Sequence, residues 1–229
     1  MADRSRQVIT AVLFDLDGTL YDRDEVVRRV AHEQYETFRE RFGDLDRERL
    51  IARTLDLDDH GYARRADVYR RLLDGARVDA ALAPDLEAHF WDCYCRHCRQ
   101  PQDTVATLDA LKSAGKRLGV ITNGPIDWQS RKLRTLGLEQ YFDEVVISDA
   151  VGVAKPDARI FNLALERLGA TAGESMYVGD HPEIDIAGAL GAGLAAAWKR
   201  VPYWTMTRED VLVLERLSDV LVRLKADTT

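Results

Sequence analysis

Cysteine is scarce in this 229-residue chain. Cys93, Cys95 and Cys98 are its only three, all in one short segment. An odd number packed so closely excludes a disulfide framework and suits a reducing compartment. Any excess of positive charge is also missing: the formal net charge is -7. General nucleic-acid binding needs a basic face, so that class is set aside. A few local cations would still hold a small anion. No apolar run is long enough to span a bilayer. Arg4 and Arg6 before "VITAVLF" faintly mimic a signal peptide, but the run is short, stops at Asp15 and has no small-residue cleavage site. There is no internal repeat and no low-complexity tract. The expectation is a soluble, cytoplasmic protein without nucleic-acid or membrane partners. Nothing in the composition sets an oligomeric state.

What is present is ample core material, 46% hydrophobic, in a chain that is 31% charged. Short apolar runs recur at 8–14, 117–122, 144–148, 175–179 and 194–198, with a weaker one at 211–215. Helical patterns lie between most of them, such as "DTVATLDALKSAG", "WQSRKLRTLG", "ARIFNLALERLG" and "EIDIAGALGAG". Alternation of this kind predicts an α/β fold: a doubly wound, Rossmann-like parallel sheet covered on both faces. The first interval breaks the rhythm. About a hundred residues separate the first two runs, where a crossover needs only a dozen or more. Residues 22–100 carry helix-like patterns and no convincing strand. They read as a helical cap inserted into a core formed by 1–21 and 101–229. The final "KADTT" reads as frayed.

Ligands of open parallel sheets bind beyond the carboxyl ends of the strands. Here the first run ends in "DLDGT", with Asp15 and Asp17; the second in Thr122, Asn123 and Gly124. Lys155 follows the third, and "GDHPEID", with Asp180 and Asp185, follows the fourth. Each piece alone is ordinary turn or helix-start chemistry. Four of them at four successive strand ends place carboxylates, a hydroxyl, an amide and an ammonium on one rim. Only six of the 32 basic residues are lysine, yet this loop uses one; the other five read as surface residues. Neighbouring carboxylates repel unless a cation lies between them. Asp15, Asp17 and Asp180 offer only hard oxygen, which calls for Mg²⁺ and not zinc. A metal-held carboxylate can attack phosphorus. A second carboxyl two residues on can protonate the leaving oxygen and later deprotonate water.

With these motifs in this order, the chain resembles the phosphatase branch of the haloacid dehalogenase superfamily. "DLDGT", "ITNG", "AKPD" and "VGDHPEID" look like its four motifs, and the helical insert is similar to its small cap. The resemblance implies that Asp15 is the nucleophile and Asp17 the general acid/base. It implies that Thr122, Asn123 and Lys155 hold the phosphoryl group. Mg²⁺ would sit on Asp15, Asp180 and the backbone carbonyl of Asp17, with Asp185 supporting it from behind. The implied substrate is a small phosphorylated metabolite, a nucleoside 5′-monophosphate or a sugar phosphate. Rival readings are a 2-haloacid dehalogenase, a phosphomutase and a non-catalytic phosphate-binding regulator. The family's dehalogenases lack an Asp at the position of Asp17, because halide leaves without a proton. His181 departs from the small hydroxylated residue usual at its position.

Three features read as structural. "CYCRHC" with His97, and His89 nearby, offers the ligand types of a metal site, but it reads as a cap helix with half-buried cysteines, because a helix spreads the three thiols around itself. "GALGAG" ends a helix and so is no dinucleotide loop. The insert holds 15 Arg and 18 acidic residues, a solvated face. Tyr21 and Asp22 fall at the expected hinge, and His60, Arg64 and Arg65 read as cap-loop contacts.

Overall fold

The computed structural model describes residues 8–226, with side chains through Leu224. Arg4, Arg6 and the last three residues of "KADTT" lie outside the described residues. The chain divides into two compact units. One is the chain up to Tyr21 together with everything from Arg99; the other is Asp22–Cys98.

The first unit is built on one parallel sheet. Its strands are β1 (Ala11–Phe14), β2 (Arg117–Thr122), β3 (Glu144–Ile147), β4 (Ser175–Gly179), β5 (Ala195–Lys199) and β6 (Leu212–Leu214). All pair in parallel, in the order β3-β2-β1-β4-β5-β6. The reversal of strand order falls between β1 and β4, the place where doubly wound sheets open a crevice. Every residue of β1 and of β4 is buried, as continuous apolar runs require in a covered parallel sheet. On one face Ala11, Leu13, Ile121 and Tyr177 pack with Ile160, Phe161 and Leu165. Those last three lie on the helix Ala158–Leu168, capped by Asp157 at its start and by left-handed Gly169 at its end. A fully buried Phe such as Phe161 contributes roughly 1.5–3 kcal/mol of transfer free energy. The stretch "EIDIAGALGAG" is helical as read, a π-helical segment, Pro182–Ala187, running directly into a short α-helix, Gly188–Gly191.

The second unit is helical, with no strand. Its main helices are α1 (Arg23–Thr37), α2 (Arg47–Asp58), α3 (Arg65–Ala76) and α4 (Ala83–His97). The Asp22 and Asp46 side chains accept the free N–H groups of Glu25 and Arg49 and so start α1 and α2. Val27, Val30, Leu50, Ile51, Val68, Leu72, Leu86 and Phe90 are all buried here. Two polar groups are buried with them. The Gln34 amide donates to the Tyr69 hydroxyl and to the Leu86 carbonyl, 2.8 Å each. Asp58 accepts from both Arg23 and Arg65. Burial opposes its charge, yet the two guanidinium groups prevail and hold its carboxyl below the usual range.

Arg65 is therefore not a loop contact, as its sequence context suggested. It is a core residue of this unit, its guanidinium 3.7 Å from the centre of the Phe90 ring. Arg64 is exposed, and His60 pairs with Asp24 at 2.7 Å. The three cysteines are fully buried where half-burial was expected. Among the described residues no helix is long and apolar enough to cross a membrane.

Candidate active site

Beyond Phe14 the chain continues straight, and the Asp15 N–H still donates to the Val178 carbonyl of β4 at 2.9 Å. The backbone of Asp15 is thus fixed by the sheet itself. The chain then turns back within a few residues. Gly18 takes a left-handed φ of +84°, its N–H donates to the Tyr21 carbonyl, and Leu20 bonds back to Leu16. A side chain at Gly18 would meet the Asp180 carboxylate at 2.6 Å, so this turn admits only glycine.

Three buried carboxylates, Asp15, Asp180 and Asp185, bring oxygens within 4.8 Å of one another. One ammonium serves them. Lys155 Nζ donates to Asp15 Oδ1 at 2.6 Å, to Asp185 Oδ1 at 2.7 Å and to the Tyr177 hydroxyl at 2.9 Å. Asp180 accepts from Thr19 Oγ1 at 3.1 Å, and its carbonyl accepts from the Trp198 indole. Gly179 lets Asp185 press against the strand end: a Cβ there would lie 2.4 Å from that of Asp185.

Charge is unbalanced at this rim. Burial, with Asp185 and Asp17 nearby, raises the Asp15 carboxyl to about 7 despite Lys155. Burial, Asp185 and Asp15 push Asp180 well above the carboxylate range. Burial disfavours the Lys155 charge, but Asp15 and Asp185 outweigh it and move its pKa upward. Such a cluster lacks positive charge, and its all-oxygen donors fit a hard divalent cation.

The other residues at the strand ends divide by task. Asn123 clasps the Lys155 loop: its amide donates to the Lys155 carbonyl and its oxygen accepts the Lys155 N–H, both at 3.0 Å. Its side chain holds the Lys155 loop at the end of β2. The Thr122 hydroxyl is buried at the end of β2 and bonded to Gln129. The ring nitrogen of His181 caps the following turn by accepting from the Glu183 and Ile184 N–H groups. Burial lowers the pKa of this ring, and only the neutral form can accept. A hydroxyl would cap in the same way, which accounts for the unusual residue.

Asp17 stands apart from the trio and has its own set of donors. Lys132 Nζ reaches its two oxygens at 2.7 and 2.6 Å, Gln129 Nε2 reaches one at 3.0 Å, and the Tyr21 hydroxyl donates as well. Lys132 is buried, which overturns its reading as a surface lysine. Gln129 and Lys132 lie three residues apart on the helix Ile126–Thr135, which follows β2. They and Tyr177 were missed. A second lysine on the helix after a strand-end motif, in so lysine-poor a chain, was the available signal.

A carboxylate cluster at the carboxyl edge of a doubly wound sheet is the layout of an enzyme that handles an anion with a cation's help. The haloacid dehalogenase-like hydrolase family model matches residues 9–193. A glyceraldehyde 3-phosphate phosphatase of Methanothermobacter thermautotrophicus is 34% identical over 82% of this chain and 84% of its own. A solved HAD phosphatase from Thermococcus onnurineus is 28% identical, with a TM-score of 0.65 over 94% of this chain and 98% of its own. A 2-haloacid dehalogenase from Pseudomonas syringae pv. Tomato is 29% identical, with a TM-score of 0.62 over 97% of this chain and all of its own. The chain belongs to the haloacid dehalogenase-like hydrolases, as an enzyme of their phosphatase branch. Phosphatases of this family generally use a divalent metal ion.

Proposed function

We propose that this enzyme is a Mg²⁺-dependent phosphomonoesterase for a small phosphorylated metabolite, with Asp15 as nucleophile and Asp17 as general acid/base. The observation that carries the reading is the buried Asp15 at the end of the central strand, facing the single ammonium of Lys155. An Asp15 oxygen bonds to phosphorus as the P–O bond to the leaving group breaks, and Asp17 supplies the proton that the leaving oxygen needs. In the second step Asp17 takes a proton from water, whose oxygen displaces the Asp15 carboxylate from phosphorus. Lys155 and the Thr122 hydroxyl face the charge on the phosphoryl oxygens. Asp15, Asp180 and the Asp17 carbonyl would hold Mg²⁺, with Asp185 behind them; when bound, the ion offsets charge on the phosphoryl group and the carboxylates.

A dehalogenase has no use for a proton donor at position 17. Three donors that fix Asp17 here favour the phosphate reading. Sugar phosphates and nucleoside monophosphates head the substrate classes, the former because of the glyceraldehyde 3-phosphate phosphatase relative. Phosphate release from a panel of both, with Mg²⁺ and with EDTA, tests the proposal. No release from any member, or full activity in EDTA, defeats it. The same reading assigns leaving-group preference to the helical segment, residues 22–100. Exchanging it with that of a related phosphatase should exchange substrate preference and keep dependence on Asp15. A folded chimera that retains the original preference contradicts that assignment.

Lys132 acts through Asp17 in this mechanism. Lys132→Met alone is expected to lower kcat by about 10²–10⁴-fold, the range typical of acid–base groups. The double variant with Asp17→Asn should be no slower than Asp17→Asn alone. Single-turnover rates that multiply instead would place Lys132 elsewhere in the chemistry.

Protons and metal compete at the carboxylates. The fold keeps a proton on Asp15 up to about pH 7, whereas the unfolded chain loses it near 3.8. Between those values the folded state binds more protons, so stability of the metal-free protein falls as pH rises. Asp180 adds to the same sign. Thermal unfolding in EDTA should therefore show a falling melting temperature across this window. Added Mg²⁺ should raise it more above the window than below it. An Asp15→Asn protein with the same pH slope would refute the assignment to this group.

A further inference from the structure

The helical unit contains a second group of potential ligands, unlike the first in chemistry. His89, Cys93 and His97 recur every four residues along α4, which aligns them on one helix face. Glu33 of α1 lies opposite. His97 Nε2 is 2.5 Å from Glu33 Oε2, and His89 Nε2 is 3.5 Å from Glu33 Oε1. Cys93 Sγ is 3.4 Å from His89 Nδ1. Ligand atoms of Glu33, Cys93 and His97 all fall within 4.8 Å of one another.

We propose that this group is a binding site for a zinc-class transition-metal ion, held by Glu33, Cys93 and His97, with His89 as the fourth donor. Bonds of about 2.0 Å to nitrogen or oxygen and about 2.3 Å to sulfur put tetrahedral ligand atoms about 3.3–3.8 Å apart. The Glu33, Cys93 and His97 atoms need only small adjustments to reach that spacing. His89, with Nδ1 toward Cys93 and Nε2 toward Glu33 and Thr37, lies outside that trio and must turn one ring nitrogen inward to become the fourth donor. The donors are two imidazoles, a thiol and a carboxylate, a mixed set that suits Zn²⁺ or Co²⁺ and not Mg²⁺. Only Cys93 of the three thiols belongs to it, so the spread of the cysteines around α4 does not count against the site.

The surroundings hold these side chains in place. Arg96 binds Glu33 Oε1 at 2.7 Å and is itself held by Asp92 at 2.8 Å, which leaves Oε2 turned to His97. The His89 ring packs edge-on to Phe38 with centroids 5.4 Å apart. Outer contacts of this kind orient metal ligands. The thiol is fully buried, while the side chains of Glu33 and His97 are 31% and 20% exposed, so an ion can enter from the Glu33 side. Binding releases the Cys93 thiol proton to solvent. The alternative is a plain ion-pair cluster around Glu33, which would give Cys93 no task.

Cobalt titration of the full-length protein decides between them. The chain is first stripped with EDTA, and Mg²⁺ is then supplied in excess to occupy the acidic cluster. One equivalent of Co²⁺ is expected to produce a near-ultraviolet sulfur-to-cobalt charge-transfer band and strong tetrahedral visible bands, both removed by Zn²⁺. Cys93→Ser should lose the charge-transfer band. His97→Gln should weaken Co²⁺ binding about 10-fold or more. Asp15→Asn should leave the spectrum unchanged. Absence of the band in the unaltered protein overturns the proposal whether or not any variant folds. A band that persists in folded Cys93→Ser overturns it too.

Discussion

Asp15→Asn is expected to abolish phosphate release and leave the far-ultraviolet circular dichroism unchanged. The amide is nearly isosteric, keeps an oxygen for Lys155 and does not touch the sheet hydrogen bond made by the Asp15 backbone. It cannot form the bond to phosphorus, so both half-reactions fail. Removal of a nucleophile costs on the order of 10⁴-fold or more in rate. The same change relieves a buried charge that burial and two neighbouring carboxylates disfavour. In EDTA the variant should therefore melt no lower than the unaltered protein. Loss of turnover with retained or raised melting temperature marks a chemical role. Near-normal turnover in the folded variant would exclude Asp15 as nucleophile.

Lys155→Met carries the other large effect, and it strikes fold and rate together. The ammonium is buried and bonded to Asp15, Asp185 and Tyr177. Removing one partner of a buried ion pair costs roughly 3–5 kcal/mol, since the remaining charges have no compensation. Mg²⁺ should recover part of that stability and little of the rate. The positive charge facing the phosphoryl oxygens is lost, a change worth about 10²–10³-fold for a single clamp donor. Chemical denaturation with and without Mg²⁺, paired with initial rates, reads both effects. A variant that Mg²⁺ restores in stability and rate alike would leave Lys155 a purely structural part.

The strand ends were legible in the sequence because a strand's direction and termination are local properties. Apolar runs that stop at Asp15, Thr122 and Asp180 must present those residues at one edge of a parallel sheet. The weak run at 211–215 became the three-residue edge strand β6 for the same reason. Helix faces were harder to read. Which side of Ile126–Thr135 meets Asp17 depends on how that helix docks, and no periodicity within ten residues states it. Lys132 and Gln129 were hidden for that reason. Arg65 sits among residues that look like a loop, and its burial follows from Asp58 seven positions back and Phe90 on another helix. Asn123 was placed at the right edge, but its clasp on the Lys155 loop joins two distant stretches of chain and so was not legible.

The rim is assembled from pieces of chain that the sheet alone brings together. Phe14 is level with Val120 on one side and Val178 on the other, and Thr122 is level with Ile147. A slip of one residue in a strand would turn its side chains to the opposite face. Leu16 would then stand where Asp15 does, and Tyr177 would point away from Lys155. Half-formed or misregistered species are therefore silent in an activity assay. During refolding, turnover will return only once β1, β2 and β4 are in register with the loop after β3, which makes the enzyme's own reaction a clock for that part of its sheet.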